Sequence, residues 1–404
     1  MKQKQIPVLL LTGYLGSGKT TLLNRILTNR RGIRFAVIVN DIGEVNIDAS
    51  LIQKGGVVGQ DDSGDLVALQ NGCICCTLKM DLIKQVMELV NSGNFDYIVI
   101  EASGICEPAP IAQTLCAIPQ MAGDSPSQPL PRLDCIATVV DALRLRDEFA
   151  SGDALRREGI GEDDIEKLII EQIEFCNLIL LNKISEVTPD EAGRIRAIIR
   201  ALQPQAEIIG CDYADVPLDA LLNTGLFDFE RVATSATWVR EIEGHDDDDD
   251  DDEEEHEHEH EHGHDHHHGH HHHHHHGEGE AEEYGIETMV YYRRRPFNFE
   301  RFDHLLAKGW PGNIIRAKGV IYFSHNRDMS LLFETAGRQM SVKEAGRWYA
   351  TAPEEELRQF LITEPGLARD WDETYGDRME KIVIIGQHLD RDAITAALDA
   401  CLDD

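Results

Sequence analysis

The sequence predicts an α/β chain: a parallel sheet with helices on both faces, then a smaller C-terminal α+β domain. Three observations predict it. Between residues 6 and 228, apolar runs of strand length alternate with stretches of helical period, the rhythm of βαβ units. Several of those runs are apolar almost throughout, as strands covered on both faces should be. The pattern then stops at a long polar segment and resumes differently after residue 286, with two strand-like runs, a helical stretch, and a closing strand and helix.

The elements follow in order. IPVLLLT (6–12) is the first strand. Two lysines precede it, but the apolar run is too short for a secretory leader and a glycine-rich loop follows at once. That loop, GYLGSGKTT (13–21), satisfies G-x-x-x-x-G-K-[ST] in full and opens a helical pattern at 18–30. A strand before and a helix after are the context a phosphate-binding P-loop requires. The sheet is therefore predicted to be of the P-loop NTPase type. Glycines let backbone N–H groups curl round phosphates, and the helix N-terminus adds partial positive charge. Gly13, Gly16, Ser17, Gly18, Lys19, Thr20 and Thr21 are the expected contacts. Lys19 reaches the β- and γ-phosphates, and the Thr20 hydroxyl holds Mg²⁺. The second strand, RFAVIVN (34–40), runs into NDIGEVNID (40–48). Its Asp41, Glu44 and Asp48 make an acidic loop of the kind a nucleotide orders and hydrolysis releases.

A short run at 65–70 leads into LQNGCICCTL (69–78), which puts three cysteines into four positions. Cys75 and Cys76 are adjacent and too constrained to bridge each other comfortably. Cys73, Cys75 and Cys76 in one turn suit a soft metal ion better than a disulfide framework. The nine cysteines are an odd number, and most lie singly in apolar runs, which fits a reducing cytoplasm. A helical stretch at 78–91 precedes DYIVIEA (96–102), an apolar strand ending near Glu101, with Gly104 just beyond. Glu101 is placed to hold or orient the magnesium shell, and Gly104 to offer an N–H near the γ-phosphate. Cys106 reads as an inert small residue. AGDSPSQPLPR (122–132) reads as an irregular surface loop. Strands at 134–141, 177–182 and 206–210 and helices at 163–175 and 189–202 complete the domain. The strand NLILLN leads into Asn182-Lys183, the start of an Asn-Lys-x-Asp base-binding element, but Ser185 stands at the aspartate position with Glu186 next. Serine cannot offer a bidentate carboxylate to guanine.

The domains are set at 1–228, 229–285 and 286–404. In the middle one, residues 245–283 hold 18 acidic residues, 16 histidines and no Lys or Arg, about half of the net charge of −35. Almost nothing apolar there offsets the entropy of ordering, so disorder is predicted. Imidazoles among carboxylates bind divalent ions at many overlapping sites. So acidic a chain is a poor partner for nucleic acid or an anionic membrane, and no stretch is long enough to span a bilayer.

The order of motifs resembles one family. GYLGSGKTT, NDIGEVNID, NGCICC, IEASG with a following proline, and LNK are similar to the motifs of the CobW-like P-loop GTPases. RPFNFERFDHLL, PGNIIRAKGVIYF and IVIIGQHLDRDAITAALDAC are similar to that family's C-terminal domain. The resemblance implies a GTP-hydrolysing metallochaperone. By that likeness Lys19, Thr20 and Glu101 serve GTP and Mg²⁺, Asn182 and Lys183 lie at the base, and Asp48 belongs to the switch loop. Cys73, Cys75 and Cys76 bind Zn²⁺, with Glu44 lining the same region and Co²⁺ chemically admissible. A client metalloprotein is the implied partner. Assembly of a cobalt or cobalamin enzyme, or passive buffering by the histidines, are the alternatives.

Overall fold

The computed structural model describes residues 4–28, 32–39, 79–121, 129–149, 163–233, 236, 284–336, 339–363 and 365–403. The acidic loop at 40–48, the run at 65–70, the cysteine cluster and the histidine-rich insert lie outside these residues.

The first domain runs β1 (Gln5–Thr12), α1 (Lys19–Leu27), β2 (Phe35–Val39), α2 (Lys79–Ser92), β3 (Tyr97–Glu101), α3 (Pro108–Met121), β4 (Leu130–Asp141), α4 (Ala142–Phe149), α5 (Asp163–Glu174), β5 (Leu178–Asn182), α6 (Pro189–Leu202) and β6 (Glu207–Gly210), and a short helix α7 (Phe229–Ala233) carries it past the boundary expected at 228, with Phe229 packed on Phe175 and Phe227. Its six strands lie in the order β2-β3-β1-β4-β5-β6, and every pairing is parallel. Successive residues of a strand point to opposite faces. Ile6, Val8 and Leu10 accordingly enter one apolar core and Leu9 and Leu11 the other. Both faces are covered, which is why β3 (YIVIE) and β5 (LILLN) are buried from end to end. Helix α6 starts where its chemistry dictates: Thr188 and Glu191 form a reciprocal capping box and Pro189 follows the cap.

The segment predicted as a loop to residue 132 needs a correction. Leu130, Pro131 and Arg132 belong to β4 and pair with Gln5, Ile6 and Pro7 of β1. Pro131 is tolerated because β5 joins β4 only from Ala137 onward. The first residues of β4 are an edge, where a missing N–H costs no ladder bond.

The second domain runs β7 (Ile286–Arg293), α8 (Phe299–Lys308), β8 (Ile314–Phe323), β9 (Asn326–Ala336), β10 (Gln339–Arg347), α9 (Glu354–Thr363), α10 (Pro365–Arg369), β11 (Glu380–Gln387) and α11 (Arg391–Asp399). The sheet order is β10-β9-β8-β11-β7, antiparallel throughout. Phe302 of α8 and Ile394 and Leu398 of α11 fill the core on one face. Ile286, Ala336 and Ile385 join the core of the first domain. Strands β9 and β10 were not foreseen. QMSVKEAGR in β10 is a largely exposed edge and carries little apolar signal.

Candidate functional site

The parallel topology sets the loop after β1 beside the end of β3, since Leu11 stands opposite Glu101. The loop turns through Gly13, Gly16 and Gly18, with φ of 132°, 77° and 114°. Two of these positions also lack room. A Cβ at Gly13 would lie 2.2 Å from the Val139 carbonyl oxygen, and one at Gly18 would lie 2.4 Å from the Asn182 amide. Glycine is therefore required twice over, by conformation and by space. The Ser17 N–H closes the turn on the Tyr14 carbonyl at 3.2 Å. Helix α1 then begins with no side-chain cap and no acidic residue in its first turn. Its first N–H groups are left for a ligand, and its dipole favours an anion.

Lys19 is buried, and its ammonium donates to the Tyr14 carbonyl at 3.2 Å. Thr20 donates its hydroxyl to Glu101 Oε1 at 3.4 Å. Glu101 is 2% exposed. The Ser17 hydroxyl is buried with no hydrogen-bond partner among the described residues. A threonine hydroxyl beside a carboxylate is the hard-oxygen set Mg²⁺ accepts, and the glycine cradle with an unspent hydroxyl suits phosphate. The donors fit the nucleotide and its ion. Thr21 is exposed on the same helical turn.

Gly104 comes close to the P-loop, where a Cβ would lie 2.8 Å from the Leu15 nitrogen. Its carbonyl is held from behind. Buried Gln172 of α5 donates to the carbonyls of Gly104 at 3.3 Å and Cys106 at 3.1 Å. Sequence reasoning missed Gln172, because nothing in a helical pattern marks one glutamine as a loop anchor.

On the far side of the P-loop, buried Asn182 donates to the Ser17 carbonyl at 2.8 Å and accepts from the Ala214 N–H at 2.9 Å. Lys183 adopts a left-handed φ of 59° and pairs with Asp141. Ser185 donates to Asp212 Oδ1 from both its N–H (3.0 Å) and its hydroxyl (2.8 Å). Asp141 and Asp212 were also missed. Their signal was an Asp at the end of an apolar strand or just past it, a weak one alone.

Glu44, Asp48, Cys73, Cys75 and Cys76 lie outside the described residues. Among the described residues no three His, Cys, Asp or Glu side chains gather as a metal site. Cys106, Cys135, Cys176, Cys211 and Cys401 are buried and Cys116 is half-buried. Burial pushes the Cys176 thiol up to about 12 and Cys211 to about 11, so these stay protonated and inert. No helix among the described residues is long and apolar enough to cross a membrane.

Comparison with known proteins agrees with this geometry. Residues 7–210 match the model of the CobW/HypB/UreG nucleotide-binding domain, and residues 286–402 that of the cobalamin synthesis protein cobW C-terminal domain. The zinc-regulated GTPase metalloprotein activator 1 of Dictyostelium discoideum is 33% identical over 414 residues, spanning 99% of this chain and 80% of that protein. The zinc chaperone CobW of Pseudomonas aeruginosa is 33% identical over 230 residues, 54% of this chain and 60% of that one. A solved Zn(II)-bound YjiA GTPase from E. coli is 20% identical over the whole of both chains, with a TM-score of 0.39.

Proposed function

The chain belongs to the CobW/HypB/UreG family of nucleoside triphosphatases, and from that premise we propose a GTP-hydrolysing metallochaperone. It takes Zn²⁺ at Cys73, Cys75 and Cys76 and couples nucleotide state to delivery into a client protein. The observation that carries the coupling is topological. The segment 40–78, which holds the three cysteines, Glu44 and Asp48, follows Val39 in the sequence, and Val39 stands opposite Glu101 in register. The chain that carries the cysteines therefore continues from a strand end beside the phosphate site. Three thiolates with an open fourth position suit transfer rather than permanent holding. Zinc is the proposed cargo, since thiolate-rich tetrahedral sites favour it and the relatives carry zinc in their names.

Phosphoryl transfer asks the protein mainly for positioning and charge. Lys19 and the N–H groups opening α1 receive the phosphate oxygens, and the glycines admit them. Thr20 and Glu101 would hold Mg²⁺, which when bound would neutralise phosphate charge. The loop of Gly104, fixed through Gln172, closes the γ-phosphate side. Anything ordering segment 40–78 with the γ-phosphate alters metal affinity, and linkage makes the effect reciprocal.

The test compares the full chain, the Cys73→Ser/Cys75→Ser/Cys76→Ser variant and a deletion of 245–283. Each is titrated with zinc against a chelator of known affinity, and GTP hydrolysis is followed with and without stoichiometric zinc. One tight site that survives the deletion, vanishes with the cysteines and is weakened or strengthened by GTP supports the reading. A tight site that disappears with the insert and persists in the triple-serine variant refutes it.

A further inference from the structure

The Asn-Lys-x-Asp pattern carries Ser185 where its aspartate would be, yet a carboxylate stands within hydrogen-bond reach of that position. Strands β5 and β6 are parallel neighbours, with Leu181 opposite Gly210, so the residues just past their ends meet. Ser185 sits in the 3₁₀ turn Ile184–Glu186 after β5. Asp212 arrives from the loop after β6 and takes both Ser185 hydrogen bonds on Oδ1. Asn182 ties that loop to the P-loop through Ala214 and Ser17.

The loop is held in a costly shape. Tyr213 and Ala214 have φ of 52° and 53°, in the left-handed region that side chains disfavour. Arg25 of α1 fastens it, donating Nε to the Tyr213 carbonyl at 2.8 Å and a second nitrogen to Asp215 at 2.6 Å. Strain kept in place by a side chain from the phosphate-binding helix signals a position that matters to the ligand.

We propose that Asp212 supplies the guanine-reading carboxylate that position 185 lacks, with Ser185 as its positioning residue. The inference rests on the guanine-nucleotide reading above. A carboxylate offers about four acceptor positions. Ser185 uses two on Oδ1, and Oδ2 accepts no hydrogen bond among the described residues. Guanine presents two donors there, N1–H and its amino group. Adenine presents a lone pair on N1 and no amino group at C2, so a fixed carboxylate rejects it. Glu186 is the rival, but it is exposed and no hydrogen bond among the described residues fixes its carboxylate. An aspartate at 185 would set two carboxylates against each other, whereas serine supplies the donors that hold one.

The experiment measures kcat/KM for GTP, ATP and xanthosine triphosphate on the full chain and three variants. In Asp212→Asn the amide oxygen keeps the Ser185 donors, so the NH₂ replaces Oδ2. The GTP-over-ATP preference should then fall about ten- to a hundredfold. Xanthosine triphosphate, whose C2 carbonyl accepts from that NH₂, should overtake GTP. Ser185→Ala removes one of two anchors and should lower the preference by a smaller factor. Glu186→Gln should leave it within about twofold. Each readout is a ratio within one preparation, and if Asp212→Asn does not fold, an unchanged ratio in Ser185→Ala decides against the proposal. Preference for GTP retained in Asp212→Asn, or lost in Glu186→Gln, overturns the assignment to Asp212. A wild type that does not prefer GTP to ATP overturns the guanine reading itself.

Discussion

Two buried clusters of charged and polar groups differ in how completely each satisfies itself. At the junction of the two domains, Arg316 of β8, 1% exposed, grips both carboxylate oxygens of Glu174 at the end of α5, at 3.0 and 3.1 Å. Glu334 of β9 gathers Lys167, Arg316, Lys318 and Lys343. Burial alone would push Glu334 up, but the Lys167 hydrogen bond and the charges of Arg316 and Lys318 hold it at about 2. At the P-loop, by contrast, the Ser17 hydroxyl lies unspent and the first turn of α1 is uncapped. The junction closes its charges on one another and so holds two domains together. The P-loop keeps donors in hand and so binds.

The sharpest way to break the junction is Arg316→Ala. It would leave Glu174 buried and unpaired, and losing one partner of a buried pair costs about 3–5 kcal/mol. Chemical denaturation should show that loss, with nucleotide turnover per folded molecule little changed. A companion double variant, Arg316→Met with Glu174→Leu, should recover most of the stability, because the cost lies in the stranded charge. A single variant as stable as the wild type would show that the pair is not what closes the junction.

Lys19→Ala is the mirror image. Removing one preorganised donor to a charged transition state costs about 10²–10³ in rate. Hydrolysis should fall by that factor, while folding survives with a smaller loss of stability than Arg316→Ala causes, since Lys19 gives up its bond to the Tyr14 carbonyl but strands no buried charge of opposite sign as that variant does. Turnover near the wild-type rate would mean that phosphate binds elsewhere.

The two clusters were unequally legible in the sequence. The P-loop could be read because a binding loop is local: Gly13 to Thr21 is contiguous, and its glycines answer steric demands from Val139 and Asn182 that any such loop meets. The strands were legible because burial on both faces leaves nearly unbroken apolar runs such as Leu178–Asn182. The junction was not legible. Glu174 and Arg316 are 142 residues apart, and each alone looks like a solvated charge. Asp212 failed for the same reason, since its meaning depends on Ser185 across two neighbouring strands. Edge strand β10 failed for the opposite reason, because exposure erases the alternation that marks a strand.

The smallest effect sharpens the comparison inside the junction itself, at Glu171. It lies on α5 beside Gln172, with Lys167 at 3.7 Å. Unlike Glu334 it is not well neutralised. Burial, then the nearby charge of Glu107, raise it from 4.5 to about 7, and Lys167 only partly opposes them. The sign follows from proton counts. Between about pH 4.5 and 7 the folded chain holds a proton on Glu171 that the unfolded chain has released, so stability falls as pH rises through this window. Above about 7 the full cost of a buried, poorly paired carboxylate is present. Glu171→Gln removes the charge and keeps the shape. Its stability relative to the wild type should be highest near pH 8, by on the order of 1–3 kcal/mol, and should shrink toward zero near pH 4.5. Glu334 supplies the internal contrast. Its lowered value stabilises the fold above the ordinary carboxylate range, and that contribution is lost only as pH falls toward 2. Denaturation of the wild type and Glu171→Gln at pH 5 and pH 8 decides the matter. A pH-independent difference between them would show that Glu171 is as well paired as Glu334 and that the junction is saturated throughout.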